Sequence, residues 1–193
     1  MPSAFRPLLL SLAVLAACAS TATDPDSLPA TRWDHRPEAA LWTRASLDML
    51  EGDAAGLTSV VPADVEAWCP GYTEAREEDR AAFWVGFLSA LARYESSWEP
   101  GAVGGGGRWF GLMQISPATA RYRGCAAGTG AALTDGAANL RCALRIMAET
   151  VPRDGVVSQG NRGVGADWGP MRQAHVVEEM QGWLRGQSYC QGG

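Results

Sequence analysis

A mainly α-helical domain with little or no sheet, held by two disulfides, is what this 193-residue chain predicts. Three observations carry the prediction. Apolar residues recur at three- and four-residue spacing in several windows, with no run of alternating strand residues. Helix start and stop signals bracket those windows. An even set of cysteines, Cys69, Cys125, Cys142 and Cys190, lies beyond the N-terminal leader.

The leader comes first. Arg6 precedes a short apolar core from Leu8 to Leu15 that ends in Ala16-Ala17-Cys18. It is too short to span a bilayer as a stable helix and fits a secretory signal over residues 1–17. Leu15-Ala16-Ala17-Cys18 resembles a bacterial lipobox, which implies cleavage before Cys18 and acylation of that cysteine. The plainer reading is an ordinary signal peptide with Cys18 incidental. Residues 18–36 read as a lipidated N-terminus and tether, because the stretch from Thr21 to Pro29 is small, polar and proline-bearing. Residues 37–193 remain, enough for one domain with its own core.

The first helix is expected over 38–50, with Leu41, Ala45 and Met49 at four-residue spacing and Gly52 as a stop. One or two turns follow over 62–68, ended by Cys69-Pro70-Gly71. The strongest helix runs over 78–96. Phe83, Phe87, Leu91 and Glu95 share one line, with Trp84, Leu88 and Tyr94 beside it. Gly86 either weakens this helix or lets another backbone approach. Gly104 to Gly107 form a flexible turn. Ser116-Pro117 is an N-cap followed by a first-position proline, starting a short helix to Arg123. Another helix starts near Thr134 or Asp135, shows Leu140, Leu144, Met147 and Val151 on one stripe, and ends before Pro152. Residues 153–168 read as loop, with Val156 and Val157 a brief extended piece. The last helix is expected over 170–186, with Ala174, Val177 and Trp183 facing inward.

Charge and cysteine usage narrow the function. The net charge is −5, and all 16 basic residues are arginine without forming a cluster, which argues against nucleic acid as a partner. The cysteines lack a Cys-x-x-Cys spacing, and His35 and His175 are the two histidines, so neither zinc nor any other metal or cofactor is expected. In an exported chain four cysteines point to two disulfides with three possible pairings. Cys125–Cys142, closing a short loop, and Cys69–Cys190, tying the C-terminal end to the body, are preferred. Chain entropy assigns them about 3 and about 5 kcal/mol.

Glu95 is the candidate catalytic residue. Phe87 and Leu91 lie below it on the same helical line, so its carboxyl tops an apolar face. Partial burial raises a carboxylate's pKa, and a carboxyl protonated near neutrality can donate to a leaving glycosidic oxygen. A helix C-terminus is an unfavourable place for an anion, unless function keeps it there. A surface glutamate is the competing reading. Trp98, Trp109 and Phe110 can stack on sugars, or simply pack. Gln114 offers an amide suited to N-acetyl and hydroxyl groups, or a structural hydrogen bond.

Taken together, Glu95-Ser96-x-Trp98, Pro100-Gly101-Ala102-Val103, Gly111-Leu112-Met113-Gln114-Ile115 and Pro117-Ala118-Thr119-Ala120 resemble the soluble lytic transglycosylase family, which has a lysozyme-like fold. The match covers residues 90–122 and continues more weakly over 139–147. It implies that Glu95 is the sole acid/base. It also implies that Ser96, Gly111, Leu112, Met113 and Gln114 help hold substrate. The resemblance further implies that the bond cleaved is that between N-acetylmuramic acid and N-acetylglucosamine in peptidoglycan, with formation of a 1,6-anhydro ring. The family's Ala-Tyr-Asn-Ala-Gly-type element is missing. Residues 158–165 correspond to it, with Asn161 or Trp168 expected in that part of the cleft. Glu99, Asp135, Asp154 and Asp167 are the possible second carboxylates, none in a telling context.

Three functions follow: a lytic transglycosylase first, a hydrolytic muramidase on the same fold second, and a non-catalytic peptidoglycan-binding lipoprotein third. The first is expected to be a monomer in the periplasm, anchored through Cys18 to the membrane, with outer-membrane sorting compatible with Ala19.

Overall fold

The computed structural model describes residue 1 and residues 28–191. The expected signal peptide, Cys18 and the first part of the tether lie outside the described residues. The rest is mainly helical, with two small hairpins.

The centre is α4 (Glu77–Ser96). Glu77, Glu78 and Asp79 occupy its first turn, where the helix dipole favours acids. Every residue from Ala81 to Ala92 is buried, so α4 is surrounded rather than amphipathic. The sequence line Phe83-Phe87-Leu91 is one wall of it. The other walls carry Ala81, Ala82, Gly86, Ser89, Ala90 and Ala92, small enough for neighbours to come close. Around it pack α1 (Ala39–Glu51), α2 (Gly56–Ser59) and α8 (Ala174–Arg185). Beyond α1 lies α7 (Gly136–Asp154). Three shorter helices, α3 (Val65–Trp68), α5 (Pro117–Tyr122) and α6 (Gly130–Leu133), complete the set.

Several sequence expectations shift by a fraction of a turn. In α1 the inward face is Trp42, Ala45, Ser46 and Leu50, and Leu41 is exposed. The indole of Trp42, edge-on to Trp33, outweighs Leu41 in choosing the face. In α8 the inward line is Val176, Met180 and Leu184, while Ala174 is exposed and Val177 and Trp183 are half-buried. The stretch Gly169–Arg172 is a separate 3-10 turn, and Gln173 is extended, so the helix starts later than expected. Pro152 does not end α7. One lost N–H so close to the terminus is tolerated on the exposed side, and left-handed Gly155 caps the helix by donating to Val151 O.

The glycine run is a hairpin. β1 (Val103–Gly104) pairs antiparallel with β2 (Trp109–Phe110), and Gly105, Gly106 and Gly107 turn at positive φ. β3 (Ser158–Gln159) and β4 (Arg162–Gly163) form the second hairpin, just after the expected Val156-Val157 piece.

Both preferred disulfides are present, Cys69–Cys190 and Cys125–Cys142. Residues 28–36, within the span expected to be tether, pack onto the domain. Trp33 is fully buried and donates to Thr43 Oγ1 at 3.0 Å, and the Tyr189 hydroxyl donates to Ala30 O at 3.2 Å. That same hydroxyl lies against Gly86, where a Cβ would overlap it. The close approach permitted by Gly86 is thus made by a side chain, not by another backbone.

Candidate active site

Glu95 sits in the last turn of α4. Its carboxyl is mostly buried above Leu91, and Oε1 has no hydrogen-bond partner among the described residues. Burial pushes its pKa up from 4.5 to about 7. Desolvation is the single cause, so no neighbouring charge sets this proton affinity.

The chain leaves the helix through two consecutive left-handed residues, Ser97 (φ 54°) and Trp98 (φ 60°). Neither is glycine, so each costs about 1–2 kcal/mol. The turn is held by backbone and side-chain bonds. Ser97 N–H donates to Arg93 O, and the Trp98 indole N–H donates to Ser89 O at 2.8 Å. Trp98 also packs edge-on against His35, with ring centroids 4.7 Å apart. Its indole is therefore committed to holding this turn.

Opposite the helix end lies the Gly111–Gln114 turn. Gly111 (φ 78°) is squeezed between Leu133 O and Asn139, with no room for a Cβ. The fully buried Asn139 ties the turn down. Its amide donates to Phe110 O and Leu133 O, both at 2.9 Å, and its carbonyl accepts from Met113 N–H at 2.8 Å. Ser96 Oγ donates to Leu112 O at 2.9 Å, which joins the residue after Glu95 to this turn. The Trp168 indole N–H donates to Met113 O at 3.0 Å. Leu112 and Met113 bury their side chains, so what they offer the surface is backbone. Gln114 is left-handed (φ 47°), and its NH2 group is taken by Gly111 O and Ala102 O.

A pocket adjoins this turn, lined by Trp109, Gln114, Ser116, Thr119, Asp167 and Trp168 among others; Glu95 is not one of its lining residues. Trp109 is partly exposed, and Arg108 stacks over its ring at 4.8 Å. Asp167 is bridged to Arg123 at 3.3 Å, yet its pKa is raised, because burial outweighs the guanidinium. The other acids are occupied elsewhere. Asp135 caps α7 through Ala138 N–H. Asp154 bonds Arg153 and Gly163 N–H. Exposed Glu99 lies 3.8 Å from Arg36.

The structure thus joins Ser96, the residue after Glu95, to the turn made by Gly111, Leu112, Met113 and Gln114. Asn161 stands apart, exposed at the tip of the β3–β4 hairpin and outside both the pocket lining and the bonds to that turn. Of the two residues expected in place of the missing element, Trp168 is the one that meets the Met113 backbone. Asn139 was not singled out as a site residue. Its signal was an amide placed one residue before Leu140 in an otherwise apolar stripe.

The family model for the transglycosylase SLT domain matches residues 73–157. Among curated proteins, none matches the sequence. Solved structures of a protein named DslA share the fold. Its wild-type form 2 aligns at 25% identity and a TM-score of 0.75, covering 84% of this chain and 98% of that one. A glutamate-to-glutamine mutant of DslA aligns at 24% identity and a TM-score of 0.77, covering 83% and 97%. The stretch matched by the transglycosylase SLT model holds Glu95, the Gly111–Gln114 turn and Asn139.

Proposed function

We propose that this protein is a peptidoglycan lytic transglycosylase in which Glu95 acts first as acid and then as base. The observation that carries the reading is the Glu95 carboxyl, buried, unpartnered at Oε1 among the described residues, and raised to about 7. In that state it holds a proton near neutral pH and can deliver it to the oxygen bridging N-acetylmuramic acid and N-acetylglucosamine. As the C1–O4 bond breaks, the N-acetyl oxygen supports the positive charge at C1. The ionised Glu95 then takes the proton of the C6 hydroxyl, and a C1–O6 bond closes the 1,6-anhydro ring. Water is not consumed, and the carboxyl ends protonated, ready for another strand.

Asp167 favours a second reading. It is the one acid of the four considered that lines the pocket beside Gln114 and Trp168. A carboxylate there can activate water for a hydrolytic muramidase.

Digestion of purified peptidoglycan separates the two. Anhydro muropeptides are expected. Products one water heavier, with reducing ends, support hydrolysis instead, and no release by oxidised, folded protein sinks both. Glu95→Gln is expected to lose at least ~100-fold in kcat while folding normally; retained turnover means that another group is the acid.

The same reading places the protein outside the cytoplasm, held to a membrane by acylated Cys18, the outer membrane in a two-membrane cell. Apolar-small-small-Cys at the end of the leader supports it. Mass spectrometry of membrane fractions is expected to find the acylated Cys18 peptide, and an unmodified Cys18 refutes the anchor.

A further inference from the structure

The left-handed turn after Glu95 is held from outside the family-matched stretch. His35 packs on Trp98, and Arg36 approaches Glu99 at 3.8 Å. Arg32 N–H donates to Ser89 Oγ at 2.9 Å, while the carbonyl of the same Ser89 holds the Trp98 indole. On the other side, Glu179 of α8 collects three groups. Arg32 reaches it at 2.6 Å and Arg93 at 3.1 Å, and the Tyr94 hydroxyl donates to it at 2.7 Å. Tyr94 and Arg93 immediately precede Glu95, and Ser97 and Trp98 follow it closely. The helix end is therefore gripped on both flanks, and each grip includes a residue from 30–36.

We propose that residues 30–36 form a positioning segment for Glu95, with Arg32 and His35 as its two working contacts. The segment touches no reacting atom. It acts through the Glu179 node and through Trp98, which together fix how deep the end of α4 sits and hence how dry the carboxyl stays. Burial alone accounts for the raised pKa, with no facing charge as a cause, so a change in depth is read directly in the titration of Glu95. The inference rests on the catalytic reading of Glu95.

The test uses the full-length, oxidised protein with 13C-labelled glutamate, the Glu95 carboxyl signal being assigned by its loss in Glu95→Gln. Arg32→Ala and His35→Ala are each expected to lower the titration midpoint of Glu95 by about one pH unit, from near 7 toward 4.5. On peptidoglycan, kcat is expected to fall about tenfold with KM within about twofold, and its basic limb to move by the same amount. Arg32→Lys, which keeps the charge, is expected to restore both. An unmoved midpoint in both alanine variants overturns the proposal, as does a lower thermal midpoint with the titration unchanged, which marks a merely structural contact. His35 is exposed, so His35→Ala decides the matter should Arg32→Ala fail to fold. If no glycan is released by the parent protein, the catalytic reading fails, and the titration still decides the positioning.

Discussion

Glu95 trades stability for a proton. Its pKa rises from 4.5 in the open chain to about 7 in the fold, so between those values the native state holds a proton that the unfolded state has released. Folding stability from this group is intact below pH 4.5, falls as pH rises to 7, and is flat beyond. The lost amount is on the order of 3 kcal/mol, since each pH unit between 4.5 and about 7 is worth about 1.4 kcal/mol. Glu95→Gln, uncharged at every pH, is therefore expected to be more stable than the parent at pH 8, with the gap closing below pH 4.5. Urea unfolding at the two pH values measures this, and an equal difference at both contradicts the buried-acid picture. In the proposed mechanism the first step needs the protonated form of Glu95, so turnover is expected to fall as pH rises through 7.

At the scale of elements, the Gly111–Gln114 turn depends on α7 through one side chain. Asn139→Ala leaves Met113 N–H and Leu133 O without their partner and Phe110 O with Ile115 N–H alone, at a cost of about 2–4 kcal/mol. Chemical denaturation is expected to register that loss, and kcat to fall more than KM rises, because the turn supports Ser96 beside the acid. This is also where sequence reading reached its limit. The position of α4, the Ser116 cap, the start of α7 to within a residue and the motif around Glu95 were legible, because each rests on local chemistry that four or five residues carry. The inward faces of α1 and α8 were not, since they are chosen by packing outside the helix itself, as where Trp42 meets Trp33 and lies against Gly136. The hairpin in the glycine run stayed hidden because two-residue strands leave no alternation to read. Asn139 has the same cause: its importance lies in three backbone groups from other segments.

Across the whole molecule, the two ends of the described chain meet at the central helix. Cys69–Cys190 closes a span of 121 residues and holds the C-terminal turn against α4. By chain entropy such closure is worth about 5 kcal/mol, more than the short Cys125–Cys142 loop. The N-terminal segment arrives at the same place through Ala30 and Arg32. The gap left by Gly86 makes this meeting possible, because the Tyr189 hydroxyl fills it on the way to Ala30 O. Positions 86 and 189 are consequently a single choice written in two places. A methyl group at 86 evicts the phenol oxygen at 189, and the segment that steadies the acid loses an anchor point some sixty residues from the substitution that caused it.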